Sequence, residues 1–368
     1  LRKLFKILLV TGAMTMAAPI PAKAACDWPL WDRFRQDYIS VDGRVIDRSD
    51  PRQITTSEGQ SYVLFFSLVA NDRKTFERIE TWTRNNLMGQ NAALPAWLWG
   101  HDTKADQWTV LDSNSASDAD LWLAWTLLEA GRLWKKPDYT RTGKQILAQV
   151  VHKETASVPG LGRTLLPGPQ GFAGDGTWRL NPSYLPPFMV PRFSSFDPAW
   201  KELGATNLRL LLETAPQGFA PDWVEWDAGK GWRLPASASP DGSYDAIRVY
   251  LWIGMMSSRD PNTVKLAKHF QPAVDLVERQ GTPPEHVAVV TGQTKGQGNI
   301  GFVSAMLPMM QGTAVLPILR ERVQRTPLSD SQYYSYMLTL FGTGWDTYRF
   351  RFDAQGHLVS DWSRKCSR

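Results

Sequence analysis

The chain has 368 residues, with 41 Lys and Arg against 36 Asp and Glu and a formal charge of +5. At 43% hydrophobic and 21% charged residues its composition is that of an ordinary globular protein, which excludes a disordered chain, a collagen-like repeat and a multispan membrane protein. The basic excess invites an anionic partner such as nucleic acid, and the 17 Trp outnumber both the 15 Phe and the 10 Tyr.

Residues 1–25 begin with Arg2, Lys3 and Lys6, continue through a mostly apolar stretch from Ile7 to Ile20, and end in Ala22-Lys23-Ala24. This is the layout of a secretory signal peptide with an A-x-A cleavage site. The apolar stretch is too short to cross about 30 Å of hydrocarbon, so no stable membrane insertion is expected after cleavage. The expectation is a periplasmic or secreted protein, with residues 1–24 as signal peptide and 25–368 as one domain. Cleavage removes four basic residues and no acid, leaving 37 basic against 36 acidic groups. A formal +1 withdraws the nucleic-acid reading. The two cysteines, Cys26 and Cys366, stand at the ends of the mature chain. In an oxidising compartment they are a candidate disulfide, worth about 4–5 kcal/mol on the loop-entropy view.

The pattern beyond is helical. Trp28, Trp31, Phe34 and Tyr38 recur at helical spacing, and residues 60–71 are apolar enough for a buried helix. Residues 73–88 place Phe76, Ile79 and Trp82 at three-residue intervals, and 118–134 (DADLWLAWTLLEAGRLW) predicts another buried helix. Further helices are expected at about 138–152, 197–213, 245–257, 262–279, 302–325 and 330–341; Val287 to Val290 is one of few strand-like runs. Between them lie long loops rich in Gly, Pro and aromatic residues, at 91–117, 156–196 and 214–244. Loops of such length are usually functional. With no repeat and no linker, the chain reads as one all-α domain.

Five scattered histidines and two terminal cysteines give no metal-ligand spacing. Gly296, Gly298 and Gly301 match GxGxxG, but five residues separate them from the preceding apolar run and no βαβ pattern surrounds them. A loop is the better reading.

Three acids sit where long loops meet apolar helices. Glu58 completes a Thr55-x-x-Glu58 capping box, Asp118 follows Ser117 at a helix start, and Asp245 opens another helix. Each alone reads as a cap. Their company changes the reading: Trp97, Trp99, Trp108, Trp178, Tyr184, Trp223, Trp226 and Tyr244 occupy the same loops. Aromatic faces stack on sugar rings, and paired carboxylates between them suit glycoside hydrolysis, one acid donating a proton and one activating water. The Trp residues inside helices (Trp82, Trp122, Trp125, Trp134, Trp252) are assigned to the core.

Ala116-Ser117-Asp118-Ala119-Asp120, with Ala124 and Ala130 to Trp134, resembles the signature helix of glycoside hydrolase family 8. Ser57-Glu58-Gly59-Gln60 with Tyr62 resembles that family's proton-donor segment, and Ser243-Tyr244-Asp245-Ala246 with Arg248 its base segment. ITTSEGQSY, PAWLWG, VLDSNSASDAD, NPSYLPP, LLETAP, PDWV and SYDAIRVY occur in family order and resemble members from bacterial cellulose-synthesis operons. Val63-Leu64 and Thr126 depart from the family pattern.

The resemblance implies an (α/α)6 barrel of six inner and six outer helices, with long loops forming a substrate groove. It implies an endo-β-1,4-glucanase that inverts the anomeric centre, needs no cofactor and acts on cellulose-type glucan, with a cellulose synthase or secretion complex as partner. Glu58 would be the proton donor and Asp245 the general base. Asp118, labelled a nucleophile in the family, would instead hold and distort the sugar, since inversion needs no covalent intermediate. Trp97, Trp99, Trp108, Tyr184, Trp223, Tyr244 and Arg248 would bind substrate. A non-catalytic glucan-binding export component, a polysaccharide lyase, and a chitosanase or xylanase of the same family remain alternatives.

Overall fold

A computed structural model describes residues 27–89, 94–233, 241–329 and 331–362. The expected signal peptide and both cysteines of the candidate disulfide lie outside them. The described helices are α1 Pro29–Tyr38, α2 Ser57–Val69, α3 Arg73–Asn86, α4 Ser117–Leu133, α5 Pro137–Lys153, α6 Met189–Ser194 and α7 Ala199–Glu213. They continue with α8 Ala246–Gly254, α9 Thr263–His269, α10 Gln271–Gln280, α11 Ile300–Met306, α12 Leu316–Arg325 and α13 Tyr333–Asp346.

Burial divides these helices into two kinds. In α2 every residue except Glu58 is buried, and α4 is buried continuously from Ser117 to Gly131. By contrast α3 buries only Thr75, Phe76, Ile79, Trp82 and Thr83, and α5 only Gly143, Ile146, Leu147 and Val150. Apolar residues on all sides make an inner helix; a stripe at three- and four-residue spacing makes an outer one. Inner and outer helices alternate from α2 to α5 and again from α10 to α13, with α8, α11 and α13 inner and α10 and α12 outer.

The inner helices meet in an aromatic plug. Trp122 of α4, Trp252 of α8 and Phe341 of α13 have ring centroids 5.1–5.2 Å apart, and Tyr62 of α2 packs edge-on against Phe341 at 5.2 Å and Trp122 at 5.5 Å. The helix-borne Trp82, Trp122, Trp125, Trp134 and Trp252 are all buried, as their spacing predicts.

Three sequence expectations are corrected. The segment 262–279 is two helices, because the Phe270 cap and Pro272 in the first turn of α10 interrupt it. The segment 302–325 breaks in the same way around Pro308 and Gly312, while α6 forms inside a predicted loop. The chain is mostly helical, as expected, and small antiparallel sheets fold within the long loops. Leu98–Asp102 pairs with Gln107–Asp112, and Thr55–Thr56 adds to its other edge. Thr177–Leu180 pairs with both Ala173–Gly174 and Val224–Asp227, the first through an Asp175-Gly176 turn whose residues both have positive φ. Strands of two to six residues are shorter than the window that reveals a helix. The GxGxxG segment is not a dinucleotide loop: Asn299 caps α11, and a Cβ at Gly301 would lie 2.6 Å from the Ser335 Cα of α13. That glycine serves helix approach.

Deep in α4, the carboxylate of Glu129 accepts from Arg192 Nε (2.8 Å) of α6, from Arg132 Nε (2.9 Å) and from the Leu358 amide (2.9 Å) of the C-terminal hairpin. Glu129 is fully buried and Arg192 nearly so. Removing one partner of such a group leaves the other charge uncompensated in the interior, at a cost of about 3–5 kcal/mol. Urea unfolding of Glu129→Ala should show a loss in that range, whereas a loss below about 1 kcal/mol would mean the latch is dispensable.

Candidate active site

Each of the three acids stands at the start of an inner helix. Thr56, not Thr55, caps α2 by accepting from the Gly59 amide, and the Thr55 hydroxyl donates instead to the Val45 carbonyl (2.7 Å). The capping box is therefore not formed, and the Glu58 carboxylate is free to face outward. Asp118 lies in the first turn of α4, with Oδ1 accepting from the Ala119 amide (2.8 Å). Asp245 is the cap residue of α8, yet its side chain makes no capping bond.

All three converge on one guanidinium. Arg248 Nη1 donates to Glu58 Oε1 (3.4 Å), Asp118 Oδ2 (3.2 Å) and the Tyr62 hydroxyl (3.1 Å), and Nη2 donates to Asp245 Oδ1 (2.5 Å). The side chains of Arg248 and Asp118 are 4% and 2% exposed, against 26% for Glu58 and 28% for Asp245. Glu58 and Asp245 thus reach solvent on either side of a buried Arg–Asp pair. Burial, and next the charge of Glu58, push the Asp118 carboxyl well above the ordinary range.

A second pair of acids lies below. Asp120 and Glu154 are both fully buried, and Glu154 Oε1 accepts from the Ser115 hydroxyl (2.6 Å). Burial first, then the charge of Glu154 and a hydrogen bond with it, raise Asp120 well above its usual value; burial lifts Glu154 to about 7.

The aromatic residues separate into walls and struts. Tyr184 lies with its ring 5.8 Å from the Arg248 guanidinium and meets Trp223 at 5.7 Å. Trp223 is stacked parallel to Phe172 and carries Arg179 over its ring at 4.4 Å. Trp97 ties the two acid-bearing segments together, its carbonyl accepting from the Ser57 amide (2.9 Å) and its own amide donating to the Asn114 carbonyl (2.8 Å). Tyr244 is 44% exposed and donates to Glu285 Oε1 (3.0 Å). On the hairpin, Trp108 is 48% exposed and covers Trp99, whose edge meets Trp82 and over which Arg44 sits at 4.4 Å. Trp226 is a strut: it is buried in a small separate core, with Trp178 packed against that core, and its indole N–H donates to the Pro159 carbonyl (2.9 Å).

Sequence reasoning missed Tyr334, whose hydroxyl donates to the Tyr244 carbonyl (2.6 Å) and which stands among Arg248, Asp245 and Glu58. It also missed Asp222 and Glu285. Tyr334 lies outside every loop that drew attention; Asp222 lies beside Trp223 in PDWV and was visible there.

Carboxylates tethered by one arginine between aromatic walls are the equipment of a glycoside hydrolase. A sequence model of glycosyl hydrolases family 8 matches residues 7–348, and the chain belongs to that family. It is 51% identical over 363 residues to an endoglucanase of Escherichia coli (strain K12), covering 98% of each chain. Among solved structures, an endo-1,4-D-glucanase from Vibrio fischeri ES114 matches with TM-score 0.87 and 43% identity over 92% of this chain and 100% of that one. An endo-beta-1,4-glucanase from Acetobacter xylinum matches with TM-score 0.73 and 26% identity, over 88% and 98%.

The buried Asp120–Glu154 pair gives a pH test. A carboxyl whose value is raised on folding contributes stability that is complete below its unfolded value, near 4.5, and is lost as pH rises through about 7. The Tm of Glu154→Gln should fall less between about pH 5 and about pH 8 than that of the parent. An equal decline would show that the pair holds no shared proton.

Proposed function

We propose that this hydrolase is a periplasmic or secreted endo-β-1,4-glucanase that cleaves cellulose-type glucan with inversion. Residues 25–368 would act as one catalytic domain in bacterial cellulose biosynthesis, beside a cellulose synthase or secretion complex. The alternation of inner and outer helices supports an (α/α)6 barrel with the three acids at one end, in a groove formed by the long loops.

The observation that carries this reading is the convergence of Glu58, Asp118 and Asp245 on Arg248. Glu58 opens to the cleft and is the proton donor to the glycosidic oxygen. Asp245 opens to the cleft beyond the guanidinium and takes the proton from water attacking the opposite face of the ring. The two stand on different nitrogens of Arg248, with the guanidinium between them, and inversion calls for carboxyl groups about 6.5–9.5 Å apart. Asp118, almost sealed and already bonded by the Ala119 amide and Arg248, suits a hydroxyl of the distorted sugar at the cleavage point better than attack on carbon. Tyr184, Trp223, Tyr244, Trp97 and Trp108 offer stacking surface along the glucan, with Trp99 backing Trp108. A mature chain of nearly zero net charge fits an uncharged polymer.

Glu58→Gln should abolish release of reducing ends from carboxymethyl cellulose while the circular dichroism spectrum stays unchanged; retained turnover would remove Glu58 from the acid role. Proton NMR of fresh product should show the α-anomer first, and β-anomer first would overturn inversion. In a panel of glucan, chitosan and xylan, the glucan should give the fastest release of reducing ends. A faster xylan or chitosan would reassign the substrate within the family.

A further inference from the structure

Asp245 presents a physical problem that its own position creates. It is the cap residue of α8, where a side-chain oxygen ordinarily accepts from the exposed amides of the first turn. Its carboxylate is committed to Arg248 and makes no such bond. The orphan amides are satisfied from elsewhere in the chain. Asp222 Oδ1 accepts from the amides of Ala246 (2.7 Å), Ser243 (2.8 Å) and Asp245 itself (3.0 Å). One carboxylate oxygen therefore gathers three backbone donors around the base, each bond charge-assisted and the set aligned with the positive end of the helix.

Asp222 is itself held firmly. Two residues earlier, the Ala220 amide donates to the Tyr250 hydroxyl (3.0 Å) on α8. A Cβ at Gly242 would come within 2.0 Å of the Ala220 carbonyl oxygen, so the two backbones touch. Ser243 is fixed in turn by donating from its hydroxyl to the Glu285 carbonyl (2.7 Å). The next residue after Asp222 is Trp223, part of the aromatic wall beside Tyr184.

We propose that Asp222 is the positioning residue of the active site: it caps α8 in place of Asp245, leaves the Asp245 carboxylate free for chemistry, and fixes its distance from the sugar stacked on Trp223. This rests on the reading of Asp245 as general base. Asp222 does not touch the reacting atoms and acts through the backbone of residues 243–246. Its removal should move the base relative to the attacking water, a displacement to which the rate is far more sensitive than binding.

The experiment compares Asp222→Ala, Asp222→Asn and Asp245→Asn on carboxymethyl cellulose, with cellopentaose binding followed by tryptophan fluorescence. Asp222→Ala should lower kcat by about 10–100-fold while KM and cellopentaose affinity stay within about threefold. Asp222→Asn keeps an acceptor oxygen in the same place and should recover kcat to within about threefold of the parent. Parent-like kcat in Asp222→Ala, or equal losses in Ala and Asn, overturns the proposal. If Asp222→Ala does not fold, Asp222→Glu replaces it: its carboxylate is displaced by a methylene, so it should lose about tenfold where Asn does not, and equal kcat in Glu and Asn overturns the proposal. Asp245→Asn separates the two readings. Full turnover there refutes Asp245 as base, whereas an inactive Asp245→Asn beside an unaffected Asp222→Ala refutes only the positioning role.

Discussion

The site depends on one buried guanidinium. Three carboxylates placed at the ends of three inner helices would repel one another, and burying any of them unpaired would cost several kcal/mol. Arg248 resolves this with a planar fork that a lysine could not reproduce, reaching Glu58 and Asp118 from one nitrogen and Asp245 from the other. The guanidinium is expensive to desolvate as well, and its support comes from below. Tyr62 accepts from Nη1 and stands on the aromatic plug of Trp122, Trp252 and Phe341. Rigid rings under a charged fork make the acid positions a property of the core, not of flexible loops.

The same helix, α4, carries acidic groups along its length with different fates. At its start Asp118 faces Arg248, two residues on Asp120 faces Glu154, and near its end Glu129 is saturated by Arg192, Arg132 and the Leu358 amide. The helix dipole favours the first two and opposes the third. Accordingly only Glu129 is matched by two full cations, while Asp120, buried beside Glu154, is pushed well above the usual carboxylate range. Asp118 lies between these solutions: one shared cation, one neighbouring acid, and a value raised by burial. An acid left incompletely neutralised at the mouth of the core is one with capacity left to bind a sugar hydroxyl.

Much of this was legible in the sequence where burial is continuous. Runs such as 118–134 and 60–71 could only be inner helices, and the three acids were conspicuous because each interrupts a loop at the edge of such a run. Two kinds of information were missed. The breaks inside 262–279 and 302–325 are marked by Pro272, Pro308 and Gly312, but the apolar spacing continues across them. The hairpins of the long loops are set by two-residue turns such as Asp175-Gly176, whose signal is local and brief. At the site, Glu58 looked like half of a capping box because spacing alone cannot tell Thr55 from Thr56 as the cap. Tyr334 and Glu285 reach the cleft only through tertiary folding and leave no trace in motif spacing.

The surplus of Trp shows why composition and role must be separated by contact. An indole taken out of water usually finds a partner for its N–H, and several here donate to a distant backbone carbonyl: Trp125 to Gly356, Trp252 to Ser183, Trp226 to Pro159 and the half-buried Trp362 to Leu68. These rings are struts that fasten one segment to another. Trp223 and Trp108 are held differently, by a neighbouring ring on one side and a guanidinium over the face. Cation–π and stacking contacts fix a ring's plane without enclosing it, which leaves apolar surface exposed at a set angle. The loop aromatics divide on enclosure: Trp226 is closed into its own small core, whereas Trp223 is half-buried and Trp108 stands half-exposed. An aromatic in a loop is therefore weak information until the partner of its polar edge is known.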